Sequence, residues 1–248
     1  MNLTYYKGEH SITFGNKNTW TDWHLIPTSK PVISPPSVKI QTVDIPGMNG
    51  TLDLSTVLTG YQCYNNRTGS LEFILAPGYE YWENTKKEVM GYLHGRRLNV
   101  YLKDDPDHYY TGLLTVNDLK SDARLNSLTI NYDLYPFRYD IVASDEAWLW
   151  DPFNFETGVI RNWSNVIVDG SLELMVNDCV NPTPVTIFPS STMTIVHTYV
   201  TYEGASKTKT YSIGPTGTID GPVLKPGYNT LRFTGNGTVS IHFRGGCL

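Results

Sequence analysis

Apolar residues recur at every second position, in runs bounded by glycine and proline, and no other feature of the chain restricts its fold as much. Leu128, Ile130, Tyr132 and Leu134 alternate with polar neighbours, as do Leu71, Phe73 and Leu75, and Leu98, Val100 and Leu102. Successive side chains of a strand point to opposite faces, so each run offers one apolar face to a core and one polar face to water. Composition points the same way. Seventeen tyrosines, six tryptophans, 21 glycines and 15 prolines, with only 17% charged residues, suit strands and turns better than a helical bundle. The fold class is therefore mainly β, and 248 residues suffice for two domains or one large sandwich.

The first half carries the clearest elements. Ser11–Phe14 runs into Gly15-Asn16-Lys17-Asn18, and Trp20, Trp23 and Leu25 alternate within Thr19–Ile26, which suggests a hairpin. Pro27, Pro31, Pro35 and Pro36 then mark an irregular connection. Val38–Ile45 alternates again and reads as a half-buried strand. It ends at Pro46-Gly47, where proline removes a ladder donor and glycine enters positive φ. Asn49-Gly50 gives a second such step before Leu52 and Leu54 resume the beat. The one helix expected spans Tyr81–His94: Trp82, Val89, Met90 and Leu93 form a stripe at helical spacing and Gly95 stands at the stop. Leu98–Leu102, a turn at Asp104-Asp105-Pro106-Asp107 and Tyr109–Val116 form a hairpin, and Leu128–Leu134 completes the set.

Past Tyr139 the character changes. Ile141–Trp150 is acidic with two tryptophans and Asp151–Gly158 is turn-rich, so a domain boundary falls near residue 140. Strand candidates then recur about every ten residues, the rhythm of a sandwich: Gly158–Asn162, Leu172–Val176, Val185–Phe188, Met193–Tyr202, Thr208–Ile213, Thr230–Phe233 and Val239–Phe243. Pro226-Gly227 opens one of the last two strands and Gly235-Asn236-Gly237 reverses the chain between them.

A turn and four further pieces in the first domain resemble, in order, the distal tail protein (Dit) family of long-tailed bacteriophages. The first is the turn Ile45-Pro46-Gly47-Met48-Asn49-Gly50 with Leu52, Asp53 and Leu54 after it; Met48 stands where the family often has a charged residue. Asn66-Arg67 leading into Gly69-Ser70-Leu71-Glu72-Phe73 is the second. Leu93-His94-Gly95-Arg96-Arg97-Leu98 and Tyr109-Tyr110-Thr111-Gly112 follow, and Leu134-Tyr135-Pro136-Phe137-Arg138-Tyr139 looks like the end of the family's first domain. The run from Leu224 to Ile241 is similar to the ending of phage tail-tip second domains of galectin-like or carbohydrate-module-like sandwich type.

The resemblance implies an architecture and a role. Residues 1–140 would form a ring-building β-sandwich or split-barrel-like domain with one helix, and residues 141–248 a galectin-like sandwich that docks other components. The protein would be a structural hub at the phage tail tip, made in the bacterial cytoplasm. It would form a homo-hexameric ring between the tail tube and the baseplate or host-adsorption apparatus. Its partners would be the major tail tube protein, the tail-associated tip protein, the tape-measure protein and a receptor-binding protein. Ile45, Pro46, Gly47, Met48, Asn49, Gly50, Leu52, Asp53 and Leu54 are the expected subunit interface, reaching across to pair strand edges of a neighbour.

Searching the residues for chemistry finds little. No nucleophile elbow, zinc-protease or phosphate-loop spacing occurs, so neither an enzyme nor a cofactor or metal is expected. Asp104, Asp105 and Asp107 lack the glycine-bearing loop and oxygen count of a calcium site and read as a solvated turn, and His94 reads as a helix end. Cys63, Cys179 and Cys247 are far apart and fit reduced thiols. The net charge of −5 argues against general nucleic-acid binding; no secretory signal or membrane-length apolar run is visible. Arg96 and Arg97 face a tube lumen, a neighbour's acidic loop or solvent. The aromatics of the second half, Trp148, Trp150 and Trp163 first, either pack in its core or stack on sugar rings, which keeps open a carbohydrate-binding adhesion module as the alternative function.

Overall fold

The computed structural model describes residues 7–77, 82–121, 126–147, 162–201, 204–215 and 221–248. It is mainly β, with one α-helix among the described residues, and divides into two compact units. Residues 1–37 and 64–138 make the first; 38–63 and 139–248 make the second. The turn-bearing segment 38–63, which falls within the first 140 residues by sequence, thus clusters with the later residues.

In chain order the early strands are β1 (Ile12–Phe14), β2 (Lys17–Asn18), β3 (Leu25–Pro27), β4 (Thr42–Val43), β5 (Leu52–Asp53) and β6 (Arg67–Leu75). After these come helix α1 (Trp82–Leu93), β7 (Arg96–Leu102), β8 (His108–Ser121) and β9 (Asn126–Leu134). The first unit is a curled antiparallel sheet in the order β2-β1-β7-β8-β9-β6-β3. The alternation read from sequence sets its face: Leu71, Phe73, Leu75, Val100, Leu114, Val116, Leu128, Ile130 and Leu134 all enter one core. Trp82, Val89 and Leu93 of α1 join it from above. Gly95 (φ 76°) ends the helix, and its N–H donates to Leu114 O at 2.9 Å.

One early expectation fails. The hairpin closes already at Lys17–Asn18, and Thr19–His24 is a turn rather than a strand. Local side chains capture this backbone: Asn18 Oδ1 accepts from Trp20 N at 2.9 Å, and Asp22 Oδ2 accepts from Asn18 N at 2.9 Å. Such bonds satisfy groups that a ladder would otherwise use.

The chain leaves the first unit within β10 (Arg138–Asp140). The second contains β11 (Val166–Cys179), β12 (Thr183–Pro184), β13 (Thr186–Pro189), β14 (Met193–Val200), β15 (Ser206–Ile213), β16 (Val223–Leu224), β17 (Gly227–His242) and β18 (Gly246–Cys247). Its main sheet runs β11-β17-β14-β15, with β13 also on β17. Val168, Ile195, Leu231, Phe233, Val239 and Ile241 centre its core. The expected strand Gly158–Asn162 lies largely outside the described residues.

The sequence expected two short strands joined by a reversal at Gly235-Asn236-Gly237, but β17 runs straight through as one strand of 16 residues. Gly235 and Gly237 take φ of 144° and 140°, opposite Gly170 and Val168 of β11. They bend the strand past the turn between β13 and β14, where Ser190 Oγ accepts from Thr238 N at 2.8 Å. A Cβ on Gly237 would lie 2.5 Å from that Ser190 oxygen. The glycines are there for close approach within a long ribbon.

Candidate functional site

Residues 38–63 form an arm whose local chemistry is simple. At its base Lys39 N donates to Cys63 O at 2.9 Å, and Gln62 Nε2 donates to Lys39 O at 3.1 Å. Further out β4 and β5 pair antiparallel, Thr42 with Asp53 and Val43 with Leu52. Ser55 Oγ accepts from Gln41 N at 2.9 Å, and Ser55's own hydroxyl and N–H hold the Asp53 carboxyl below its usual range. At the tip Met48 N donates to Ile45 O at 3.0 Å across Pro46-Gly47, with Gly47 at φ 86°, the proline-then-glycine order of a type II turn. Gly50 (φ 78°) supplies the second left-handed step. Nothing lies within 4 Å of a Cβ built on either glycine, so the tip is shaped by backbone preference and not by packing.

The half-buried strand expected over Val38–Ile45 is not what forms. Every residue from Ser37 to Asp53 is exposed, and of Val38–Ile45 only Thr42–Val43 joins a ladder, with Val38 in an isolated bridge. Val38, Ile40, Val43, Ile45, Met48 and Leu52 show 41–68% of their surface to solvent, and Leu58 on the returning side shows 98%. Alternation requires that one face be covered; it does not require that the same chain cover it. A two-stranded ribbon is marginal in water by itself, and a contiguous exposed apolar surface of this kind is uncommon on a monomer. Of the expected interface set, Ile45 through Asp53 sit on this bare ribbon and Leu54 is half-buried at its root.

The remaining motifs have structural work. Arg67 is buried: its Nε donates to Pro136 O at 2.7 Å, its Nη1 to Ser34 O at 3.0 Å, and its guanidinium lies over the Tyr110 ring at 5.5 Å. Asn66 Nδ2 donates to Asp133 Oδ1 at 2.8 Å. Gly112 is pressed on β9, where a Cβ would lie 2.2 Å from Asp133 O. His94 Nδ1 accepts from Val116 N at 3.2 Å and joins the helix end to β8. Three of the family-like pieces therefore meet around the strands β6, β8 and β9.

Arg96 and Arg97 are exposed on β7, with guanidinium groups over the rings of Tyr92 (6.0 Å) and Tyr135 (5.7 Å). Trp163 is half-buried in the second core with its ring 5.5 Å from that of Phe243. Trp148 and Trp150 lie outside the described residues. In the acidic turn, Asp105 accepts from Arg138 Nη1 at 3.0 Å and pairs with His108 Nδ1 at 2.8 Å. The His108 hydrogen bond, with Arg138 nearby, keeps the Asp105 carboxyl below its usual range. Asp104 pairs with His10 Nδ1 at 2.8 Å. Among the described residues no group of three or more His, Cys, Asp or Glu side chains is placed to hold a metal, and no helix is long and apolar enough to cross a membrane. Cys63 and Cys247 are free thiols.

One feature of the second unit had no sequence signal. A cleft of about 420 Å³ opens between the returning side of the arm, the end of β14, the start of β15 and the turn before β17. Tyr61, Tyr199, Tyr228, Lys207 and Lys225 line it. These residues come from three regions far apart in the chain, residues 61, 199–207 and 225–228, so no local pattern could collect them.

No protein-family model and no curated protein matches the chain. Among solved structures it is similar to the crystal structure of the SPP1 Dit (gp 19.1) protein, described as a paradigm of the hub adsorption apparatus in phages infecting Gram-positive bacteria. The likeness spans 96% of this chain and 99% of that one, with a TM-score of 0.58 and 15% sequence identity. The chain therefore has the fold of a Dit protein.

Proposed function

We propose that this protein is a structural component of a phage tail tip, a distal tail hub without enzymatic activity. The observation that carries the reading is the fold likeness, which extends over nearly the whole of both chains rather than over one sandwich module. The sequence resemblance, found independently in ordered motifs, supports the same family. In this reading six copies close into a ring that continues the tail tube, one heterologous contact repeated around the axis. The tail tube protein, the tip protein and the tape-measure protein meet the ring, and a receptor-binding protein docks on its outer side.

The arm is the subunit contact. Its exposed aliphatic side chains and unpaired ribbon edges are satisfied by a neighbouring copy, by strand addition and apolar burial together. Gly47 and Gly50 shape the tip without packing against anything in their own chain. Replacing both by valine, Gly47→Val with Gly50→Val, forces β-branched residues into left-handed backbone and reshapes the tip alone. The expected result is a folded protein with unchanged urea midpoint that no longer assembles; unchanged assembly contradicts the arm's role.

A further inference from the structure

We propose that the cleft of the second unit is a binding site for an anionic saccharide. Two of its walls, the turn before β17 and the end of β14, come from elements held independently of any ligand. The turn before β17 is fixed by the Asn229 side chain: Lys225 N donates to Asn229 Oδ1 at 2.7 Å, and Asn229 Nδ2 donates to Lys225 O at 2.6 Å and Gly227 O at 3.0 Å. Buried His197 donates from Nε2 to the same Oδ1 at 3.0 Å and lies 5.1 Å, ring to ring, from Tyr199. The turn that carries Lys225 and Tyr228 is thus clamped to the strand that carries Tyr199. Lys207 stands directly across the β14–β15 ladder from Tyr199.

Two kinds of group converge on this clamped frame. Tyr61 and Tyr199 are half-buried and Tyr228 is 67% exposed, which leaves a large aromatic side chain at the rim with little cover from its own chain. Flat aromatic faces match the C–H face of a pyranose ring. The second kind is cationic. Lys207 and Lys225 line the cleft, neither has a carboxylate partner among the described residues, and no Asp or Glu is among the described lining. Lys225 Nζ lies 5.9 Å from the Tyr61 ring centroid, held by the ring's face in place of a counter-ion. In a protein of net charge −5, two ammonium groups without a carboxylate partner among the described residues, beside an aromatic wall, select an anion on a ring-shaped ligand. A neutral sugar leaves the lysines unused, and a bare anion leaves the tyrosines unused.

The arm's return lines the cleft and also belongs to the proposed subunit contact, so the titration is run beside light scattering: binding kept without assembly, or assembly kept without binding, separates the two readings. The test is calorimetric titration of the full-length protein with a galacturonic acid trisaccharide and with mannose 6-phosphate, each against its neutral parent, galactose trisaccharide or mannose. The expected result is saturable binding of at least one anionic probe, roughly tenfold or more tighter than its parent and weakened by salt. Carboxylate and phosphate selectivity are read by which probe wins. The variants Tyr228→Ala and Lys207→Glu with Lys225→Glu should each weaken binding by roughly tenfold or more, and Lys209→Glu, exposed on β15 outside the cleft, should leave it unchanged. Tyr228 and Lys207 are exposed enough that their loss leaves the fold intact, as a urea midpoint will show. Absence of binding by both anionic probes at millimolar concentration overturns the proposal. So does equal affinity for the neutral parents, or binding indifferent to the cleft variants.

Discussion

Ile40→Ser, Ile45→Ser and Leu52→Ser made together separate the two kinds of work an apolar residue can do. In the free chain these side chains are 68%, 41% and 41% exposed and belong to none of the hydrophobic cores, so their remaining cover is local to the arm and contributes little to global unfolding. Substitutions at such sites change stability by about 0.5 kcal/mol or less. If a neighbouring copy covers them, the exposed fractions amount to one and a half complete side chains, and at about 2 kcal/mol per fully buried aliphatic side chain the contact loses about 3 kcal/mol. That is a shift of about a hundredfold in the dissociation constant of each subunit contact. Sedimentation equilibrium on the wild type and the triple variant reads the association, and urea unfolding reads the fold. The expected pair of results is weakened assembly with an unmoved urea midpoint. Assembly within threefold of wild type refutes the role of the arm, and a collapse of the urea midpoint refutes the exposed placement of these residues.

Four further outcomes follow from individual sites. Gly112→Ala puts a Cβ 2.2 Å from Asp133 O and 2.5 Å from Leu134 Cα, backbone atoms in the middle of a sheet that cannot yield, and should destabilise the protein by roughly 3 kcal/mol or more in urea. Gly91→Ala, on the exposed face of α1 with nothing within 4 Å of its Cβ, should instead stabilise by roughly 0.5–1 kcal/mol, and the opposite signs test both assignments in one assay. Burial holds the His197 imidazole below its ordinary pKa, with the Asn229 bond opposing only in part, so its folded value is depressed. Its stabilising share is present above about pH 6.5, the unfolded value, and is lost as pH falls from there through the folded value; His197→Gln should flatten that slope in pH-dependent unfolding. Trp163→Ala should cost roughly 2–3 kcal/mol through lost packing on Phe243 while leaving saccharide titrations unchanged.

The parts of the fold that were legible in sequence are those where a local pattern and a core face coincide. The stripe Trp82, Val89, Leu93 closed by Gly95, and the alternations of β6 to β9, each state which side is buried, and the first unit buries those sides. Where side chains intervene in the backbone the pattern misleads, as at Thr19–His24, whose bonds to Asn18 and Asp22 take the place of a ladder. Gly235-Asn236-Gly237 carries every mark of a turn, yet its meaning depends on Gly170 and Ser190, which no local window contains. For the arm the turn chemistry at Pro46-Gly47 was readable, and the destination of its apolar face was not, because that face is left uncovered by its own chain. The cleft was invisible for a related reason: Tyr61, Tyr199, Lys207 and Lys225 become neighbours only through β14, β15, β17 and the arm's return.

The central claim is that this chain closes on copies of itself, and the mass of the full-length protein in solution tests it most directly. Light scattering on a size-exclusion column, run over a range of loading concentrations, should give a discrete species at six times the 27.9 kDa of one chain. Concentration should populate it without larger open-ended aggregates, since a closed ring leaves no contact unused. A mass of 27.9 kDa at every concentration, with the apolar arm bare in the only species present, would contradict the account.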